Sequence, residues 1–210
     1  MTGTGQDDTL VISYLFLRRV VGILGVSLPF VLAIGSFVLG SSTGIEASIS
    51  DYYDTIMRGV FVGILFAIGI FLFSYRGYEK KDNVAGYLAC VFAIGVALFP
   101  ANVDNRAVQT VHFLSAVAMF LTLAYFSYFL FTKSKEDPPY RPEKRNRNRV
   151  YRTCGLIIVA SIVLIALYIM VLEGTAIDAY KPVFVLETLA LVAFGFSWFV
   201  KGATLWKDHD

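Results

Sequence analysis

The sequence predicts an all-α membrane protein whose six transmembrane helices form a single bundle, and three observations lead to this fold. First, the 210 residues are 57% hydrophobic and only 16% charged, with a mean hydropathy of +0.65, whereas soluble domains are about a quarter charged. Second, the apolar residues form long continuous runs, which favours helices over the alternating strands of a β-barrel. Third, Lys and Arg gather in alternate connections between these runs, as they do in multi-pass proteins.

Six apolar runs are long enough to cross the roughly 30 Å of bilayer hydrocarbon as helices. We expect a single six-helix transmembrane domain over residues 1–210, with a cytoplasmic or interfacial N-terminus at 1–19 whose Arg18 and Arg19 meet the headgroups. The predicted spans cover residues 20–40, 56–75, 84–100, 108–131, 153–172 and 182–200.

The connection at residues 133–152 is the only long one. It contains three prolines and a dense run of charge, which predicts an extended, poorly ordered basic loop on the cytoplasmic side. A basic run at this place attracts anionic lipid, and the alternative is a specific contact with a protein or nucleic acid.

The distribution of basic residues predicts that both termini face the cytoplasm. The three connections assigned to the outside carry only Arg58, Arg106 and Lys181. The net charge of +2 is too small to indicate a nucleic-acid partner. The remaining basic residues lie on the cytoplasmic side: Arg18, Arg19, Arg76, Lys80, Lys81, Lys133, Lys135, Arg141, Lys144, Arg145, Arg147, Arg149, Arg152, Lys201 and Lys207.

A short signature recurs at the cytoplasmic ends of spans two, four and six. It reads Phe-Ser-Tyr at 73–75 and at 126–128, and Phe-Ser-Trp at 196–198. Either membrane helices converge on such aromatic ends, or a helical hairpin has been used three times around a common centre. Counting back 15 or 16 residues from each serine reaches an ionisable residue near the outer interface; these residues are Arg58, His112 and Lys181.

Span six contains a carboxylate, Glu187, at a depth where charge is expensive and needs a partner or a purpose. We expect Arg58 to be its partner, although Asp54 could instead pair with Arg58 along one helix face. We also predict an outward-open cavity between the outer halves of spans two, four and six, lined by Arg58, His112, Ser115 and Glu187. The candidate ligand-binding residues are Arg58, His112, Ser115, Glu187, Asp51 and Asp54.

The chain resembles the uncharacterised bacterial six-span membrane protein families of unknown function. The resemblance rests on SYLFLRRVVGILGVSLPFVLAIG at 13–35, SISDYYDTIMRGVFVGILFAIGIFLFSYRG at 48–77 and FGFSWFVKG at 194–202. The resemblance implies a six-span fold in a bacterial inner (plasma) membrane, and no particular activity. A more distant similarity is to membrane hydrolases of the alkaline ceramidase and adiponectin-receptor type, which hold zinc with several histidines. The only histidines here are His112 and His209.

A zinc site in this chain would have to combine His112 with carboxylates such as Glu187 and Asp51 or Asp54, one histidine where catalytic sites commonly use two or three. We therefore expect no metal and no cofactor. The expected function is binding or transport of a small polar molecule or lipid headgroup, with membrane lipids as partners. Two alternatives stay open: a membrane-embedded hydrolase, metal-dependent or not, and a non-catalytic accessory or interaction subunit whose polar cluster is structural.

Overall fold

The computed structural model describes residues 4–40, 44–77, 79–133 and 142–202. Over these residues the protein is built of α-helices without strands, which confirms the all-α prediction. A 3-10 helix at Ser50–Asp54 lies between the first two helices, another at Ala176–Tyr180 lies between the last two, and a π-helical turn at Phe126–Leu130 continues the fourth. The α-helices are α1 (Thr4–Val38), α2 (Arg58–Phe73), α3 (Lys80–Leu98), α4 (Arg106–Tyr125), α5 (Pro142–Val171) and α6 (Pro182–Lys201).

The six helices form a closed ring in which each packs on the next and α6 returns to α1. The connections therefore alternate between two ends of the bundle. The upper end holds the α1–α2, α3–α4 and α5–α6 connections, and the lower end holds the other two. This placement brings the residues around 50, 102 and 178 together at the upper end.

The number of membrane spans is confirmed only in part. Four helical segments are long and apolar enough to cross a bilayer: Leu15–Val38, Arg106–Leu130, Glu143–Val171 and Pro182–Lys201. The apolar parts of the other two helices are shorter. The 16 residues of α2 cover roughly 24 Å, which is less than the hydrocarbon thickness of a typical bilayer.

One prediction about the lower end is corrected, and the N-terminal segment is part of a longer helix. Helix α1 runs without a break from Thr4 to Val38, so the residues before the first predicted span are helical from Thr4 onward. Part of the predicted extended loop is helical, because α5 begins at Pro142. A proline is well tolerated in the first turn of a helix, where its missing N–H has no partner to lose. Residues 134–141 of that loop and the C-terminal tail with His209 lie outside the described residues.

A close helix crossing joins α1 to α6 through glycines. A Cβ atom on Gly195 would lie 2.6 Å from the carbonyl oxygen of Gly22 and 2.5 Å from Cγ2 of Val26. Small residues allow the helix backbones to approach in this way, as is common for helices within membranes. The crossing fixes α6, and with it Glu187, against the first helix.

The recurring signature meets at the lower end, but its three copies are not used alike. The Ser127 hydroxyl lies 2.9 Å from the Ser197 hydroxyl, and both serines are buried. Ser74, the third serine, is exposed and donates to the carbonyl of Ile70 in its own helix. An aromatic cluster surrounds the serine pair on one side and includes Tyr75, Phe126, Phe131, Tyr151 and Trp198.

The lower end also contains an ion pair between two connections. Lys133 lies 2.5 Å from the carboxylate of Asp82, which is almost fully buried. Asp82 also accepts from the backbone N–H of Glu79, completing a capping box at the start of α3. The hydrogen bond to Asp82 is the main reason that the pKa of Lys133 is raised above its ordinary value.

Candidate functional site

The upper end of the bundle contains a cavity of about 680 Å³, here called the upper cavity. It lies among the outer turns of α4, α5 and α6 and beneath residues 47–51 of the α1–α2 connection. Its size is within the range of pockets that bind small molecules. The polar and charged lining residues are Ser48, Ser50, Asp51, Asn102, His112, Tyr168, Glu173, Asp178, Lys181 and Glu187.

Residues 47–54, here called the roof segment, close the cavity from above, and their own sequence shapes them. Ser48 and Asp51 bond reciprocally: the Asp51 carboxylate accepts from the Ser48 N–H at 2.8 Å, and the Ser48 hydroxyl accepts from the Asp51 N–H at 3.2 Å. This arrangement is the same as in a helix capping box, and it starts the 3-10 helix Ser50–Asp54. The second Asp51 oxygen accepts from the side-chain amide of Asn102 at 2.8 Å.

The roof segment is fastened to the start of α6. Glu187 accepts a 2.7 Å hydrogen bond from the backbone N–H of Ile49. The N–H of Phe184, which has no partner within its own first helical turn, donates to the carbonyl of Ala47 at 3.0 Å. The ring of Tyr52 packs against Phe184 with centroids 6.1 Å apart. Glu187 therefore has a structural partner, and that partner is main chain.

Tyr52 is the buried anchor of the roof segment. Its side chain is fully buried, and its hydroxyl accepts from the backbone N–H of Glu46 at 3.3 Å. Burial raises the pKa of Tyr52, so that the phenol stays neutral over the physiological range.

His112 ties the roof segment to α3 from the opposite side of the cavity. Its Nδ1 lies 2.6 Å from the carbonyl oxygen of Phe99, and its Nε2 lies 3.0 Å from the hydroxyl of Ser50. A carbonyl oxygen can only accept, so Nδ1 carries the proton. In the neutral imidazole Nε2 then accepts from Ser50. Both ring nitrogens of this buried side chain are thus occupied.

The α5–α6 connection supplies the remaining charge. The Asp178 carboxylate accepts from the Tyr168 hydroxyl at 2.7 Å and from the Gly174 N–H at 3.0 Å. Lys181, immediately before α6, has a left-handed backbone with φ of 50°, which is uncommon for a residue with a side chain. Pro182 follows it at the first helical position. Glu173 lies in the same connection and lines the cavity.

The lower part of the cavity is apolar. Its walls come from α4 and α5 and include Phe120, Ile162 and Ile165. Phe113, Val117 and Ile169 line the cavity and are also exposed on the outside of the bundle. The cavity therefore opens sideways between α4 and α5 as well as having a polar top.

Three of the six predicted ligand-binding residues line the cavity, and three do not. His112, Glu187 and Asp51 are brought together. The predicted pair of Arg58 and Glu187 is wrong: Arg58 donates to the carbonyl of Tyr53 at 2.7 Å and stacks on that ring at 4.1 Å. Asp54 lies 3.9 Å from Arg58 in an exposed pair, which is the alternative that the spacing left open.

Ser115 and the predicted position of the cavity also need correction. Ser115 faces α3, where its side chain occupies the space that a Cβ on Gly95 would need. The cavity lies among α4, α5 and α6, not among spans two, four and six. Because two helices, α3 and α4, separate α2 from α5 in the ring, residues of α2 do not line this cavity.

Seven polar or charged lining residues were not among the predicted ligand-binding residues: Ser48, Ser50, Asn102, Tyr168, Glu173, Asp178 and Lys181. A signal was available for three of them, because the short connection between two apolar runs carries Glu173, Asp178 and Lys181. The hydrogen-bond partners of Asp178 could not be inferred from the sequence, because they are the Tyr168 hydroxyl and the main-chain N–H of Gly174.

The geometry does not favour a zinc site at His112. Both imidazole nitrogens already bond to Phe99 and Ser50, so a metal ligand role would require breaking one of these bonds. Across residues 4–40, 44–77, 79–133 and 142–202, no group of three His, Cys, Asp or Glu side chains is arranged as a metal-binding cluster.

Comparisons with protein-family models, with curated proteins and with solved structures give no match. The resemblance to six-span families therefore stays a prediction, and the site has to be interpreted from its own chemistry.

Proposed function

We propose that this chain is an integral membrane protein that binds or transports a small molecule with a polar head, such as a lipid headgroup, in the upper cavity. The observation that carries the proposal is the cavity itself. It has about 680 Å³ of space, a top lined by fixed polar groups and apolar walls that open between α4 and α5. A molecule with a polar end and an apolar body fits both parts at once.

The proposal includes six membrane crossings with the upper end facing outward. Although α2 and α3 are short, each packs antiparallel to its neighbours within the ring of longer helices, and short spans are accommodated by local thinning of the bilayer. The lower end carries most of the basic residues, which supports a cytoplasmic position for both termini.

Filling the cavity tests the binding function. Ala116 lines the cavity on α4, so Ala116→Trp should occupy part of its volume. Leu114→Trp is the matched control, because Leu114 lies on the same helix and is exposed on the outside of the bundle. Both proteins would be purified in a mild non-ionic detergent, and co-purifying lipids and small molecules would be identified by mass spectrometry.

We expect a molecule that is retained by the wild type and by L114W and lost from A116W. Equal retention by both variants, or the absence of any bound molecule, would contradict a binding function. In that case the non-catalytic accessory role becomes the better description of the polar cluster.

Orientation is tested separately by cysteine labelling in a background without Cys90 and Cys154. Asn105→Cys reports on the upper end and Lys144→Cys on the lower end. A membrane-impermeant reagent should label N105C in intact cells and leave K144C unlabelled until the cells are opened. The reverse pattern would invert the topology.

A further inference from the structure

We infer that the ligand of the upper cavity is an organic cation: an amphiphile with one ammonium group and an apolar body. This inference rests on the proposed binding function and names the charge and chemical class of its ligand. Three features of the cavity carry it: the sign of its charge, the way in which its carboxylates are held, and its apolar walls.

The charge of the lining is strongly one-sided. Four carboxylate residues, Asp51, Glu173, Asp178 and Glu187, line the cavity, and Lys181 is the one lysine or arginine among the described lining residues. A concave site with low-dielectric walls concentrates the field of such charges. The field inside the cavity therefore favours a positive ligand and disfavours an anionic one.

Three of these carboxylates are held in place by neutral groups. The partners are the Ile49 N–H for Glu187, the Tyr168 hydroxyl and Gly174 N–H for Asp178, and the Ser48 N–H and Asn102 amide for Asp51. Within the described part of the chain none of them forms an ion pair. Neutral donors fix the position of a carboxylate without cancelling its charge, so the charges of Asp51 and Asp178 are preorganised without an ion-pair partner among the described residues.

The walls and the size favour an organic cation over a metal ion. The lining carboxylates do not converge as a metal-binding group within the described residues. The cavity holds far more space than one ion needs, and Phe113, Phe120 and Ile165 line its apolar part. Aromatic faces attract ammonium groups, most strongly where water is excluded. A side opening between apolar helices also admits an alkyl chain.

Three probes with the same eight-carbon chain separate charge from hydrophobicity: octyltrimethylammonium, octanoate and octanol. Their affinities for the full chain would be measured by isothermal titration in a non-ionic detergent, below micelle-forming concentrations and against protein-free detergent. We expect the ammonium probe to bind at least about tenfold more tightly than the neutral probe, and octanoate to bind most weakly. This estimate takes a net unit charge about 10 Å away at an effective dielectric constant of about 20.

Variants that remove single charges test whether the preference for the ammonium probe comes from the residues that line the upper cavity. Glu173→Gln removes a lining charge whose side chain forms no hydrogen bond in the described structure, and Glu187→Gln keeps an oxygen that can accept from Ile49. Each change should weaken the binding of octyltrimethylammonium roughly tenfold and leave the binding of octanol unchanged. Lys181→Met should tighten the binding of octyltrimethylammonium by a similar factor. Asp54→Asn is the control, because Asp54 lies on the roof segment outside the cavity and pairs with Arg58.

The outcomes distinguish this inference from the function on which it rests. If all three probes bind alike and A116W abolishes their binding while L114W does not, the cavity binds amphiphiles and the cation inference is overturned. Tighter binding of octanoate overturns it as well. If no probe binds, or if A116W binds like the wild type, both the inference and the proposed function fail. Preference for the ammonium probe, lost in A116W and reduced in E173Q and E187Q, supports both.

Discussion

The carboxylate of Glu187, in the second turn of α6, accepts a 2.7 Å hydrogen bond from the backbone N–H of Ile49 in the roof segment. This bond joins two parts of the chain that are 138 residues apart. The bond also gives the Ile49 N–H a hydrogen-bond acceptor, which a main-chain N–H needs where water is excluded. A charged acceptor makes a stronger bond than a neutral one.

Replacing Glu187 should therefore loosen the roof segment, and it should do so more when the new side chain cannot accept a hydrogen bond from Ile49. Glu187→Ala removes the acceptor and should destabilise the fold by about 1 to 3 kcal/mol, the cost of stranding a buried donor. Glu187→Gln keeps an amide oxygen in place and should cost less. Thermal unfolding of the purified proteins in one detergent measures both.

Accessibility of the roof segment checks the structural cause. A cysteine at Ser48 should react faster with a soluble maleimide in the E187A background than in the wild-type background. Asp54→Ala, which removes only an exposed ion pair, should leave both the unfolding temperature and the labelling rate nearly unchanged. If E187A and E187Q were equally stable, the bond to Ile49 would contribute nothing to the fold.

The bridge formed by His112 should show energetic coupling with Ser50. His112→Phe leaves both the carbonyl of Phe99 and the hydroxyl of Ser50 without this partner, and Ser50→Ala removes one side of the bridge. Hydrogen bonds between membrane helices contribute about 0.6 kcal/mol on average and up to roughly 1.7 kcal/mol. A double-mutant cycle of H112F and S50A should give a coupling within that range. Strict additivity would mean that the hydroxyl and the imidazole do not interact.

The helical architecture could be predicted from the sequence because continuous apolar runs leave few alternatives in a membrane. The same pattern could not give the true helix ends at the lower side. Charged residues preceding an apolar run can continue a helix into water, as Pro142 and the residues after it do at the start of α5. Polar composition distinguishes a membrane segment from an aqueous one, and it does not distinguish a helix from a linker.

The site was harder to predict than the fold, and the reason is visible at Glu187 and Arg58. A sequence displays the charged side chains that could complement a carboxylate, whereas a main-chain N–H is present at every residue other than proline. Arg58 was therefore the visible candidate, and Ile49 carried no signal. His112 and Asp51, which both line the upper cavity, stood out in the sequence because a histidine and an acid beside membrane helices are rare.

Lys133 should make stability depend on pH in the alkaline range. Its pKa is raised in the fold, chiefly by the hydrogen bond to Asp82, so protonated Lys133 stabilises the folded state. The contribution is fully present below the ordinary lysine pKa of about 10.4, and it is lost as the pH rises through the higher folded-state value. Comparing chemical unfolding of the wild type and Lys133→Met from pH 8 to pH 12 should show a constant difference that shrinks only above pH 10.

The matched control for this experiment is Lys144→Met, in the first turns of α5, which measures the effect of removing a lysine from the lower end without touching Asp82. A difference between wild type and K133M that already disappears near pH 8 would contradict a raised pKa.

The glycine crossing between α1 and α6 should tolerate no added side-chain atom at Gly195. In Gly195→Ala the added Cβ would meet the Gly22 carbonyl oxygen and Val26 at 2.6 and 2.5 Å. The backbone oxygen cannot rotate away as a side chain would, so the helices must separate. Overpacking of this kind costs about 1 to 3 kcal/mol.

Gly63→Ala is the control, because a Cβ on Gly63 in α2 meets nothing within 4 Å and alanine favours the helix. Thermal unfolding should therefore show a clear loss for G195A and no loss for G63A, and equal effects would mean that α1 and α6 are not in close contact. Because α6 also carries Glu187, G195A should in addition raise the maleimide reactivity of a cysteine at Ser48, linking the crossing to the roof of the cavity.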